Sequence, residues 1–203
     1  DVLPEPLVVA MPVWAPGSYL VREFARHVER MTAHTPEGEA GVRKVRKDAW
    51  AIAHGGASEV TVEYELYAND LTVRTNHVDD THAFFNGAAT FVRPVDAWDA
   101  TPCEVELVPP SPAWSVVTSL TPTSEGTWRA RDFDELVDSP VEMGLHDVYR
   151  FRVADRDHAL VVWGAKLCLR FDPRRLVDDL ARVLEADVIF YGAAPYESYT
   201  FFL

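Results

Sequence analysis

Apolar and polar residues alternate with a period of two over much of this chain, and that period predicts strands. In EVTVEYELYA, Val60, Val62, Tyr64 and Leu66 fall on one face, with Glu59, Thr61, Glu63 and Glu65 on the other. A half-buried antiparallel strand has this pattern. CEVELVP repeats it with Cys103, Val105 and Leu107 inward, and HDVYRFRVA keeps it less cleanly. Strands are expected at 7–14, 26–34, 42–53, 59–68, 103–108, 115–120, 127–130, 146–154 and 158–171. Pro- and Gly-bearing stretches separate them: PEGEAG (36–41), HGGAS (54–58), PPSPAW (109–114) and TPTSEG (121–126). Many short strands with such punctuation predict a mainly β fold, an antiparallel β-sandwich or related two-sheet structure.

The periodicity changes at residue 172. Asp172 suits a helix N-cap and Pro173 the first helical position. Leu176, Leu180, Val183, Leu184 and Val188 then form a stripe at helical spacing, closed by Gly192. This predicts one long helix at 173–191. PYESYTFFL follows as an apolar, strand-like segment, read here without a partner strand. A helix after an otherwise all-β chain reads as the start of a second domain.

Composition narrows the function classes. The 203 residues carry a net charge of −13, which argues against a partner held through a phosphate backbone. The basic run VRKVRK (42–47) is read as a solvated strand face. No apolar run approaches the roughly 20 residues of a membrane span. Neither nucleic acid nor membrane is therefore an expected partner. The two cysteines, Cys103 and Cys168, lie far apart in expected strands and read as small buried apolar groups, which favours a cytoplasmic location.

Candidate chemistry is sparse. The seven histidines show no i, i+4 pair, and there is no H-E-x-x-H. HVDDTH brings His77, Asp79, Asp80 and His82 within six residues. It reads either as a capped turn with surface histidines or as a cation loop. FFNG (84–87) reads as a hairpin turn, with Asn86 able to offer a donor and an acceptor to a ligand. DELVDSPVEMG (134–144) reads as a one-turn helix leading into a strand. In MPVWAPGSYLVREFARHVERM (11–31), Pro16-Gly17 fits the centre of a type II turn. Trp14 is read as a core or interface anchor, and Arg22, Glu23 and Arg26 as pairing locally. The stretch is a rigid corner with no nucleophile or ligand set.

Four segments together resemble one family. PVWAPGSYLVREFARHV, YELYANDLTVRTNHVDDTHAFFNG, ELVDSPVEMG and YGAAPYESYTFFL are similar, in order and over nearly the whole chain, to the N-terminal half of glycyl aminopeptidases. These are thermolysin-like zinc metallopeptidases that usually carry a PDZ domain. The resemblance implies a saddle-like N-terminal β-sandwich domain at 1–171, with 172–203 opening an incomplete α+β catalytic domain. It implies an enzyme that uses zinc to release N-terminal glycine, and alanine, from peptides with a free N-terminus. The chain ends at Leu203, before the family's zinc helix, so no catalytic or metal-binding residue carries over. No cofactor is expected in this chain, and the piece alone is expected to be inactive. By order along the chain, His82, Phe85, Asn86 and Gly87 match the loop that meets the substrate's α-amino group. Two other readings stay open: a non-catalytic β-sandwich binding module, and a metal hydrolase built on HVDDTH.

Overall fold

The computed structural model describes residues 3–15, 17–95, 100–164 and 172–203. Among the described residues sixteen strands are assigned: β1 (Leu7–Ala10), β2 (Val28–Thr35), β3 (Gly38–Arg46), β4 (Ala49–Ala53), β5 (Thr61–Leu66), β6 (His77–Val78), β7 (His82–Phe85) and β8 (Arg93–Pro94). They continue with β9 (Cys103–Glu106), β10 (Ser115–Thr118), β11 (Thr121–Ser124), β12 (Thr127–Ala130), β13 (Val141–Gly144), β14 (His146–Val153), β15 (Arg156–Trp163) and β16 (Ser198–Phe202). Two α-helices, α1 (Phe133–Val137) and α2 (Pro173–Tyr191), and two 3-10 turns at Phe24–His27 and Gly87–Ala89 complete the set. The fold is mainly β and mainly antiparallel.

The chain forms two compact units. The first comprises Asp1–Asp79, Phe84–Leu107 and Leu120–Pro140. It holds a six-stranded sheet in the order β5-β2-β3-β4-β1-β8 and a three-stranded sheet β11-β12-β9. The expected inward residues of β5 are half-buried and its glutamates exposed. Leu7, Val9, Trp50 and Ile52 are buried in the larger sheet, and Val9 lies opposite Trp50 across the β1–β4 ladder. Such cross-strand apolar pairs stabilise a sheet. The stretch expected as one strand at 42–53 folds as two, β3 and β4, turning at Lys47 and Asp48.

The second unit comprises Asp80–Ala83, Val108–Ser119 and Val141–Leu203. β10 pairs antiparallel with β13, and the start of β7 adjoins β13. A second sheet runs β14-β15-β16. Ala159 to Val162 are all buried in its central strand. The expectation that PYESYTFFL has no partner is corrected: β16 pairs in parallel with β15, in register from Asp157–Ser198 to Val161–Phe202. Parallel strands need a long crossover, and α2 supplies it.

α2 follows its sequence signals closely. The Asp172 side chain accepts from the backbone N–H groups of Arg174 and Arg175, and Gly192 ends the helix at φ +82°. None of its residues is buried. The apolar stripe instead lines a groove of about 610 Å³ with Tyr196, Tyr199 and Phe201. His158 fixes the return of the chain, its ring nitrogens 3.1 Å from the Arg156 carbonyl and 3.1 Å from the Tyr196 hydroxyl.

Candidate functional site

Residues 85–90 form a closed polar corner in the first unit. Asn86 is not the hinge of a hairpin, as Asn-Gly suggested. It is extended (φ −94°, ψ 130°) and caps the 3-10 turn that follows. Its side-chain oxygen accepts from the Ala88 N–H at 3.0 Å, and its own N–H donates to Asn76 Oδ1 at 3.1 Å. Asn76 Nδ2 donates in turn to the Ala89 carbonyl and to Thr90 Oγ1. Asn86 is 8% exposed, and Phe85 stands edge-on to Phe91 at 6.3 Å. Gly87 is required by close packing: a Cβ there would lie 2.6 Å from the Leu136 carbonyl oxygen and 2.8 Å from Val137 Cα. Asp132 caps α1 by accepting from the Glu135 N–H at 2.8 Å, and α1 leads to β13 as DELVDSPVEMG predicted.

His82 begins β7 in the second unit, where it joins a buried polar cluster. It is 2% exposed and Glu142 4%, and its Nδ1 lies 3.0 Å from Glu142 Oε1. Its ring stacks on Trp163 at 3.8 Å, and the Trp163 indole N–H donates to Thr81 Oγ1 at 3.0 Å. Gly144 sits at φ +155°, and a Cβ there would come within 2.7 Å of His82 Cβ. The glycine of VEMG therefore admits the His82 backbone.

His146 completes the cluster. Its Nε2 is 3.1 Å from Ser115 Oγ, while its buried Nδ1 lies 3.9 Å from Glu142 Oε1 without a hydrogen-bond partner. The order Ser115, His146, Glu142 is that of a nucleophile, a base and an orienting acid. The last link is too long to orient the base, because the Glu142 oxygen is held by His82. Burial pushes the His146 imidazole below its ordinary pKa, against the opposing pull of Asp147. The cluster is a polar anchor that joins β7, β13 and β14. Sequence analysis missed Glu142 and His146, although a lone glutamate between Val141 and Met143 marks a charge on an apolar strand.

HVDDTH is the segment in which ligand-type side chains gather. The boundary between units passes through it, with His77 and Asp79 on one side and Asp80 and His82 on the other.

The MPVWAPGSY stretch also departs from expectation. The Ser18 N–H donates to the Ala15 carbonyl at 3.0 Å around Gly17 at φ +75°, as a type II turn requires. Pro16 lies outside the described residues, as do Cys168 and the end of the strand expected at 158–171. Trp14 is not a core residue. It is 50% exposed and lines a groove of about 530 Å³ with Met11, Arg93, Phe133, Asp134 and Asp138. Glu23 forms its ion pair with Lys47 at 3.0 Å, and the Arg26 charge is a smaller influence on its carboxyl.

Comparison with known proteins adds the following. Residues 1–145 match the family model described as the peptidase M61 N-terminal domain. A crystal structure of an aminopeptidase N family protein from Idiomarina loihiensis superposes with a TM-score of 0.88 at 32% identity. The match covers 98% of this chain and 34% of that one, so this chain spans about a third of its relative's length. No curated protein matches.

Proposed function

The chain belongs to the family of peptidase M61 N-terminal domains, and from that premise we propose that it is the substrate-side part of a zinc aminopeptidase releasing N-terminal glycine, and alanine, from peptides. The observation that carries the reading is the match to an aminopeptidase-family structure over nearly the whole chain. The exposed apolar residues Val183, Ile189 and Phe190 of α2 and the groove along its half-buried stripe support a catalytic region packed beyond them, with 172–203 as its opening.

Zinc would polarise the scissile carbonyl and activate a water. The sequence holds no H-E-x-x-H, the zinc motif that the reading requires. In this reading the metal belongs wholly to the catalytic region, and this chain contributes recognition. Phe85, Asn86 and Gly87 form the wall that meets the substrate's α-amine, and His82, locked to Glu142, holds the start of that strand. A tight corner excludes larger side chains more strongly than it separates glycine from alanine.

Hydrolysis of glycyl, alanyl and leucyl anilides, by this chain alone and by a complete enzyme carrying it, tests the reading. The expectation is no turnover by the chain alone and preference for glycyl over leucyl substrates in the complete enzyme. Turnover by the chain alone, or no such preference, refutes it. In the complete enzyme, Asn86→Asp keeps the capping oxygen and adds charge beside the amine, so KM for glycyl substrates should fall severalfold. Unchanged KM with an unchanged fold rules out this placement of the amine.

A further inference from the structure

Most basic side chains of the first unit that face acids are paired: Arg30 with Glu65, Arg46 with Asp48, and Lys47 with Glu23. Arg22, Arg26 and Arg74 differ. None makes an ion pair with a described residue, in a chain where acids outnumber Lys and Arg by 32 to 19. All three line one polar concavity of about 390 Å³, between the 3-10 turn at Phe24–His27 and the loop around Thr72 and Thr75.

Two of the three are held in place. Arg22 Nε donates to Ser18 Oγ at 3.1 Å, and Ser18 is buried. Arg26 Nε donates to His27 Nε2 at 3.1 Å. Each guanidinium is thus held through its inner nitrogen. Arg74 sits on a loop braced by Thr72 Oγ1, which accepts from its backbone N–H, and by the Thr72–Thr75 hydroxyl contact. Two carboxylates, Glu23 and Asp70, also line the space, and Glu23 pairs outward with Lys47 at 3.0 Å. Three cations against two anions leave a local positive charge on an acidic protein.

We infer that this concavity is an oxyanion-binding site, taking a carboxylate or phosphate group between the forks of Arg22, Arg26 and Arg74. Guanidinium terminal nitrogens match both anions in bidentate geometry. The site is separate from the proposed amine-binding corner and does not depend on the peptidase reading. His27 reports on occupancy. Burial, and then the charge of Arg26, hold its imidazole below the usual range, and an anion over Arg26 would oppose the second effect.

Titration of the whole chain with inorganic phosphate and, separately, with N-acetylglutamate tests the site, followed through the arginine Nε–H and His27 ring signals by NMR. Saturable shifts confined to Arg22, Arg26, Arg74 and His27 are expected with at least one anion, and the tighter of the two names the natural chemistry. Arg74→Gln should weaken binding about tenfold, while Arg43→Gln, on exposed β3, should leave it unchanged. Linear shifts spread over many basic residues, or binding untouched by Arg74→Gln and Arg26→Gln, would mean an adventitious ion only and would overturn the site.

Discussion

A methyl group at position 87 has nowhere to go. Its nearest neighbours would be backbone atoms of α1 at 2.6 and 2.8 Å, which cannot rotate aside as a side chain can. Gly87→Ala should therefore cost about 1–3 kcal/mol, seen as a lower urea midpoint at unchanged slope, whereas Gly41→Ala, with only ordinary contact to Ala53, should cost less. At His146 the expected effect depends on pH. Its folded pKa is depressed by burial, so its stabilising contribution is present above the unfolded value of about 6.5 and is lost as pH falls through the folded value. His27 acts in the same direction. The urea midpoint should drop as the protein is acidified from about pH 7 to about pH 5, and His146→Gln should flatten that drop. An equally steep profile in the variant would assign the loss to other groups. Neither role was legible in sequence. Glycine in FFNG suggested a turn, and it exists because two backbones meet.

Elements were read well wherever one face is wet. β5 and β9 show the expected pattern because alternation survives when one side meets solvent, and α2 because its cap, proline and terminal glycine all agree. The misread elements share a cause. β3 and β4 merged because Lys47 and Asp48 carry no glycine or proline signal. β16 looked unpaired because a parallel partner is reached only through a crossover, which local periodicity does not encode. The exposure of α2 makes its cap measurable: with no residue of the helix buried, its stability rests more on local terms. Asp172→Ala removes two charge-assisted acceptor contacts and should lower helix stability by about 1 kcal/mol. Faster amide exchange through 174–177 and an unchanged β core is the expected signature; uniform protection in both proteins would contradict it.

For the molecule as a whole, period-two patterning and turn punctuation correctly indicated a mainly β fold, and extended resemblance pointed to a peptidase N-terminal portion, now shown by the family match. The polar clusters stayed hidden because their members are distant in sequence. His82 meets Glu142 across 60 positions, and Arg74 joins Arg22 and Arg26 from another loop. The division of the fold carries one further consequence. Each unit is assembled from three stretches that alternate along the chain, so the polypeptide passes from one to the other five times. A compact unit built this way is not a bead on a string. It cannot be lifted out with two cuts or exchanged for a homologous block by a single crossover in the gene. Engineering that exchanges either unit has to move three stretches of the chain together.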